Sequence, residues 1–406
     1  MSCSSSTGTR GASPRPSPRP SSRPSPRPSP RPSPARHLPF RIDRLPFPID
    51  RLPFHDPDTE IQAQTAQLVA KLGFDFRDTT FEQEIEPVLI SLLKSPSARV
   101  RFHAAISLGK VGSKQCFEPL VTMLDENNGQ DAYLRHAGAM GISPQVGPTG
   151  RLISHPSREV RLAAVVALRR RYHVMENVRW DNANVAIAIT QFLQDPEPEV
   201  VIEAARAIHD DFSIQPALIA LASTTTIPAN EGFIRRMLNA NLRLGQTNNA
   251  ARLASFALNT TQPSALRLEA ALCLAEWNAL PYLDRVTSRV RTLGKRDSDL
   301  GKQTLESAWP QLIATADPAL LRGLTQLADK VNLPMEESLL VQMTKDEHCS
   351  VPVRVETLNL LAKRKSTQLM TCLQYALASA HPELRNAARS HLADNSADEF
   401  YQRVGN

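Results

Sequence analysis

Beyond Asp56 the chain sets aliphatic residues eight positions apart again and again: Ile61/Val69, Val100/Leu108, Leu134/Ile142, Val160/Leu168, Val200/Ile208, Ile234/Leu242, Leu266/Leu274, Val353/Leu361 and Leu384/Leu392. In six of these nine windows a small residue stands halfway: Ala104, Gly138, Ala164, Ala204, Ala270 and Ala388. Positions i, i+4 and i+8 share one face of an α-helix, so each window predicts a helix with an apolar stripe. The small middle residue lets a neighbouring helix come close. The leading residues of successive windows lie 39, 34, 26, 40, 34 and 32 residues apart. A gap of 87 then precedes a last step of 31, which predicts one hidden window near Leu305. A mean step in the mid-thirties suits two helices and their turns.

The segments between windows supply the second helices: Ile85 to Leu93, Phe117 to Leu124, Val185 to Leu193 and Pro216 to Ala222. Proline stands four residues before four of the windows, at Pro57, Pro96, Pro156 and Pro196, with Asp56, Ser95 or Asp195 ahead of three of them. An Asp or Ser N-cap followed by Pro at the first helical position is the expected helix start. Helix, turn, helix at this period is the HEAT pattern. The expected fold is all-α: a HEAT-repeat α-solenoid, a right-handed superhelix of antiparallel helix pairs, over residues 56–393. An Arg follows the leading residue in seven windows (Arg101, Arg135, Arg161, Arg235, Arg267, Arg354, Arg385). A planar five-donor group suits bonding to a turn or to an acid of the next repeat, so these arginines predict a structural ladder in preference to an anion-binding stripe.

Before Asp56 the pattern is different. Residues 13–34 iterate Ser-Pro-Arg-Pro, and Leu38-Pro-Phe40, Leu45-Pro-Phe47 and Leu52-Pro-Phe54 repeat every seven residues. Fixed φ, missing donors and nothing apolar to bury predict an extended, disordered tail over residues 1–55. The heptad phenylalanines are expected either to lie against the first helix pair or to leave it exposed. Residues 394–406 are polar enough to cap or trail the far end. The tail also changes how charge is read: it holds ten Arg against two Asp, a net +8, so with +6 overall the remainder carries −2. The body has no electrostatic reason to bind nucleic acid.

Chemistry-bearing motifs are scarce. No G-x-S-x-G, G-x-x-x-x-G-K-[ST] or G-x-G-x-x-G occurs, and no His-Glu pair supports the metal site of a HEAT-type hydroxylase. The five cysteines are scattered with no C-x-x-C, and Cys273 in an Ala/Leu run predicts a buried thiol. Glu347-His348-Cys349 lacks a second ligand cluster, and His209-Asp210-Asp211 fits the last turn of a helix. No cofactor is expected. No apolar run reaches the ~20 residues of a membrane span and no signal peptide is evident, which leaves a cytoplasmic location by default.

One block is more specific than a generic repeat. It runs Asp195-Pro-Glu-Pro-Glu-Val200, Glu203-Ala-Ala-Arg-Ala-Ile-His-Asp210, Arg235-Arg-Met-Leu-Asn-Ala-Asn-Leu-Arg-Leu-Gly245, Asn249-Ala-Ala-Arg-Leu-Ala254, Leu266-Arg-Leu-Glu-Ala270, Trp277 and Leu283-Asp-Arg-Val286. With Tyr133-Leu-Arg-His-Ala137, it resembles the HEAT region of planctomycete-type membrane-bound dehydrogenases, haem-binding proteins of propeller–HEAT–cytochrome c architecture that are exported. The chain shows no propeller and no C-x-x-C-H, so the resemblance implies a detached, non-catalytic helical module, a split subunit or gene remnant. Its partner would be a separately encoded propeller or cytochrome c domain. The candidate interaction surface is His209, Asp210, Arg235, Arg236, Asn239, Asn241, Arg243, Glu269 and Trp277, polar beyond what packing requires; mutual satisfaction across repeats is the competing reading. Enzymatic alternatives are a HEAT-type phycobilin lyase or isomerase and a HEAT-like alkylpurine DNA glycosylase.

Overall fold

The structure is a computed structural model and describes residues 52–72, 81–147, 151–174, 182–211, 214, 217–278, 283–291, 296–331, 333 and 336–404. It is an α-solenoid of HEAT type. The helices alternate between two layers, because each has one apolar stripe and hides it against its neighbours. The first layer runs α1 (Thr59–Leu72), α3 (Ala98–Val111), α5 (Ala132–Ile142), α6 (Arg158–Val174), α8 (Pro198–Asp210), α10 (Glu231–Leu244), α12 (Ser264–Ala275), α14 (Pro318–Val331), α16 (Val351–Lys363) and α18 (Pro382–Val404), each packed on the next. The second layer holds α2 (Glu86–Leu92), α4 (Phe117–Asn127), α7 (Asn182–Gln191), α9 (Leu218–Ala222), α11 (Thr247–Leu258), α13 (Leu300–Ala314), α15 (Glu337–Lys345) and α17 (Leu369–Leu377).

All nine aliphatic windows fall on first-layer helices, and their leading residues are buried except Ile61. That residue lies with Leu68 on a side of α1 that no described helix covers. The hidden window is not at Leu305, which sits in α13 of the second layer. It is Leu320 in α14, with Leu324 and Ala328 one and two turns on, all three buried. The 26-residue step from Leu134 to Val160 has a simple cause: no helix is formed among the described residues between α5 and α6, so this repeat lacks its second member.

The helix starts differ from expectation by about two residues. Asp195 does not cap α8; its Oδ1 accepts the Glu197 N–H at 2.9 Å, and Pro198 is the first helical residue. Asp56, Ser95 and His155 do the same toward Asp58, Ser97 and Ser157. These are turns that precede the helix, with the acceptor bonding two residues ahead. The seven arginines do form a ladder. Arg101 and Arg385 donate to carbonyls of the preceding turn, and Arg267 and Arg354 to Ala257 and Thr344. Arg135, Arg161 and Arg235 reach an acid in the next first-layer helix or the turn before it, namely Glu159, Asp195 and Glu269.

At the near end Leu52 and Phe54 are buried in the core, so packing begins ahead of Asp56. The rest of the expected tail, including Phe40 and Phe47, lies outside the described residues. At the far end the α18 backbone stays helical to Val404, through the polar stretch after Ala393. Among the described residues no helix is long and apolar enough to cross a membrane.

Candidate functional site

The polar block is built on three first-layer helices, α8, α10 and α12. His209 occupies the last turn of α8 and is fully buried. Its Nδ1 faces Asp210 Oδ1 at 2.9 Å and its Nε2 faces Asn239 Oδ1 of α10 at 3.0 Å. Arg236, one helix over, grips Asp210 with two parallel bonds of 2.9 and 2.8 Å. Burial alone would raise the Asp210 carboxyl; the bonds from His209 and Arg236 instead hold it far below the usual carboxylate range.

Asn241 works as an internal clasp. Its Nδ2 donates to the Ala222 and Met237 carbonyls, and its Oδ1 accepts from Asn249 at the start of α11. Glu269 of α12 receives two bonds from Arg285, at 2.6 and 2.9 Å, and one from Arg235 at 3.4 Å. Trp277 is fully buried just beyond α12. Of the nine residues, then, His209, Asn239, Asn241, Glu269 and Trp277 are buried, and the charged remainder is bonded within the block. The structure brings them together only in part: His209, Asp210, Arg236, Asn239 and Arg243 form one cluster, Arg235 and Glu269 a second with Arg285, Asn241 bonds toward α9 and α11, and Trp277 packs in the core.

What completes the His209 cluster was not among the candidate surface residues, although Asp284 stands in the Leu283-Asp-Arg-Val286 motif. The segment after α12 carries Asp284, Arg289, Arg291 and Arg296. Asp284 closes its own turn by accepting the Val286 and Thr287 N–H groups, and its carboxylate lies 4.0 Å from His209 and 3.6 Å from Arg291. Burial would raise its carboxyl too, but the turn N–H groups with His209 and Arg291 hold it low. Arg291 and Arg243 both donate to the His209 carbonyl, Arg289 donates to that of Asp210, and Arg296 to those of Leu242 and Arg243. The last carbonyls of a helix have no intrahelical partner and carry its negative dipole end. Four arginines therefore strap the ends of α8 and α10. Burial and then Arg291 bring Arg243 down to about 10. The sequence signal was the Arg density between Arg285 and Arg296 in a stretch without helical periodicity.

Because the Asp210 and Asp284 carboxyls are depressed in the folded chain, the stability they confer is present above the ordinary aspartate value of ~3.9 and is lost as pH falls through their folded values. Hydrogen exchange between pH 5 and 2 should accordingly show protection lost first at the ends of α8 and α10. Loss beginning at α16–α18 instead would contradict this.

Elsewhere the chemistry is spare. Cys116, Cys273 and Cys372 are buried free thiols, and burial pushes Cys116 up to about 11. Among the described residues no three His, Cys, Asp or Glu side chains converge as a metal site.

Residues 45–143 match the family model for HEAT repeats. No curated protein matches the chain. Among solved structures the chain is similar to an engineered protein, at 16% identity over 84% of this chain and 96% of that one with a TM-score of 0.30. It is also similar to the complex of CpcE and CpcF of phycocyanin lyase from Nostoc sp. PCC7120 (16% identity, 63% and 91% covered, TM-score 0.26) and to a designed armadillo repeat protein (15%, 76% and 98%, TM-score 0.16).

Proposed function

We propose that the protein is a non-catalytic scaffold that holds a protein partner on its second-layer helices. The observation that carries this reading is a division of labour. The polar residues of the 195–286 block spend their hydrogen bonds on one another and on helix ends, whereas Ile187 of α7 and Ile219 of α9 stand 58% and 64% exposed in successive hairpins. A packed array exposes large aliphatics on neighbouring helices at a cost that a docked partner removes. Strapping of α8 and α10 keeps that face rigid, which lowers the ordering cost of association.

The kind of partner rests on the likeness of the 195–286 block to the dehydrogenase-type helical region: a separately encoded propeller or cytochrome c domain. Co-expression of this chain with such a domain from the neighbouring genes should give one complex on size exclusion. The paired change Ile187→Glu and Ile219→Glu should weaken it by about a hundredfold, tenfold for each buried aliphatic lost. Separate elution of the unaltered proteins would overturn the proposed partner, and an unchanged affinity in the variant would overturn the proposed face.

A further inference from the structure

The second layer opens between α13 and α15. On one side α13 packs against α11 and α12, and on the other α15 packs against α16 and α17. Between them lies a cavity of about 450 Å³. Its floor is apolar: Trp309, Ile313 and Leu333 are buried in the core and line it, with Leu339 beside them. Its rim is acidic and exposed, with Glu306 on the α13 side and Glu336 at the start of α15. Asn332, Pro334 and Met335, which lie outside the described residues, bring no charge to this stretch of chain.

Pro310 stands inside α13 and also lines the cavity. It has no N–H to give the Glu306 carbonyl, and its ring crowds that carbonyl away from the helix axis. The same residue therefore offers a carboxylate and a backbone oxygen without its usual helical donor. The plain reading of the two acids is local. Glu306 lies 3.7 Å from Lys302, one turn back, and Glu336 accepts from Ser338 at 3.4 Å while complementing the dipole of α15. Those contacts are small. The lysine pair is 64% and 43% exposed, a setting in which ion pairs contribute little, and a helix end offers about half a charge against a full carboxylate. Each carboxylate has about four acceptor sites, so one contact apiece leaves most of that capacity open.

We propose that this cavity binds a primary amine carried on an aromatic or branched apolar body. Its volume lies within the ~300–1,000 Å³ of small-molecule pockets. An ammonium brings three donors and one charge, and the acceptors at the rim are the two carboxylates and the Glu306 carbonyl. The indole of Trp309 suits a cation as well as an apolar ring, and Ile313, Leu333 and Leu339 take the body of the ligand. This site goes beyond the scaffold role. It lies two helices past α9 in the second layer and uses neither Ile187 nor Ile219, so either reading can fail without the other.

The test is calorimetric titration of the full chain with phenethylamine, methylamine and phenylpropionate at neutral pH, where both amines are charged. Phenethylamine should bind at one site, at least about tenfold more tightly than methylamine, and phenylpropionate should not bind. The variant Glu306→Gln/Glu336→Gln alters two exposed side chains and should weaken phenethylamine by at least about tenfold. A second variant, Leu339→Arg, sets a guanidinium in the cavity and should abolish binding by a separate route. Equal affinity in the parent and either variant, no saturable binding of phenethylamine, or equal binding of phenylpropionate would overturn the proposal. So would binding of a lysine-containing peptide without binding of the free amine, which would make the cavity a peptide-docking site.

Discussion

Replacing Arg161 with Met should destabilise the array around α6 and α8 by about 3 kcal/mol or more. Arg161 forms two bonds to Asp195, of 2.7 and 3.0 Å, and two more to the carbonyls of His155 and Pro156. The side chains are only 9% and 3% exposed. Removing one partner leaves the other charge buried and unpaired, which is where most of the cost arises, rather than in the attraction itself. The companion change tests this account. Asn at position 195 keeps the oxygen that accepts the Glu197 N–H but carries no charge, so Arg161→Met/Asp195→Asn should recover more than half of the loss. In a stacked array each repeat touches only its neighbours, so the effect should stay local. Hydrogen exchange should rise across 158–174 and 198–210 while α14 to α18 stay as protected as in the parent. A single variant within about 0.5 kcal/mol of the parent, or a double variant no better than the single, would show that the pair is not a structural brace.

The same ladder shows how much of the fold could be read beforehand. The eight-residue aliphatic spacing identified nine of ten first-layer helices because stacking demands the same apolar stripe at every level. It missed α14 for a local reason. There Leu324 occupies the middle position, which is small in six of the nine windows, and Ala328 stands where all nine have an aliphatic partner, so the stripe is buried but breaks the pattern. Leu305 had the right hydrophobicity and the wrong layer, a distinction that periodicity alone does not carry. The turn acceptors at Asp56, Ser95 and Asp195 looked like N-caps because the same side chains satisfy either geometry; the difference is which N–H they reach.

The candidate site was half legible. Residues such as His209, Asn239 and Arg236 were found by their polarity within apolar helices, which a single sequence displays. Their partners Asp284, Arg289, Arg291 and Arg296 lie on a non-helical segment, and Arg291 meets the His209 carbonyl 82 positions away along the chain. No spacing rule links them. Polarity inside a repeat thus shows that something must satisfy a group, while the tertiary path decides whether a partner protein or the chain itself supplies it.

Trp277 provides the sharpest test of that strap. Trp277→Ala should cost about 3–5 kcal/mol, the range for deleting a fully buried aromatic. Its ring lies under the Arg296 guanidinium at 5.3 Å, and Gly301 of α13 is pressed so close that a Cβ there would lie 2.2 Å from Trp277 Cβ. Loss of the ring removes the platform beneath Arg296, whose bonds to Leu242 and Arg243 close the end of α10. Exchange should therefore rise at residues 239–245 as well as around the cavity. Trp277→Phe should behave otherwise. The indole Nε1 has no hydrogen-bond partner among the described residues, and such a buried donor costs about 1–3 kcal/mol to keep. Phenylalanine relieves that cost while giving up part of the packed area, so denaturant midpoints should place it within about 1 kcal/mol of the parent. If Phe and Ala were equally damaging, the indole N–H would be bonded after all and the strap would be anchored through a polar contact, in place of the aromatic face described here.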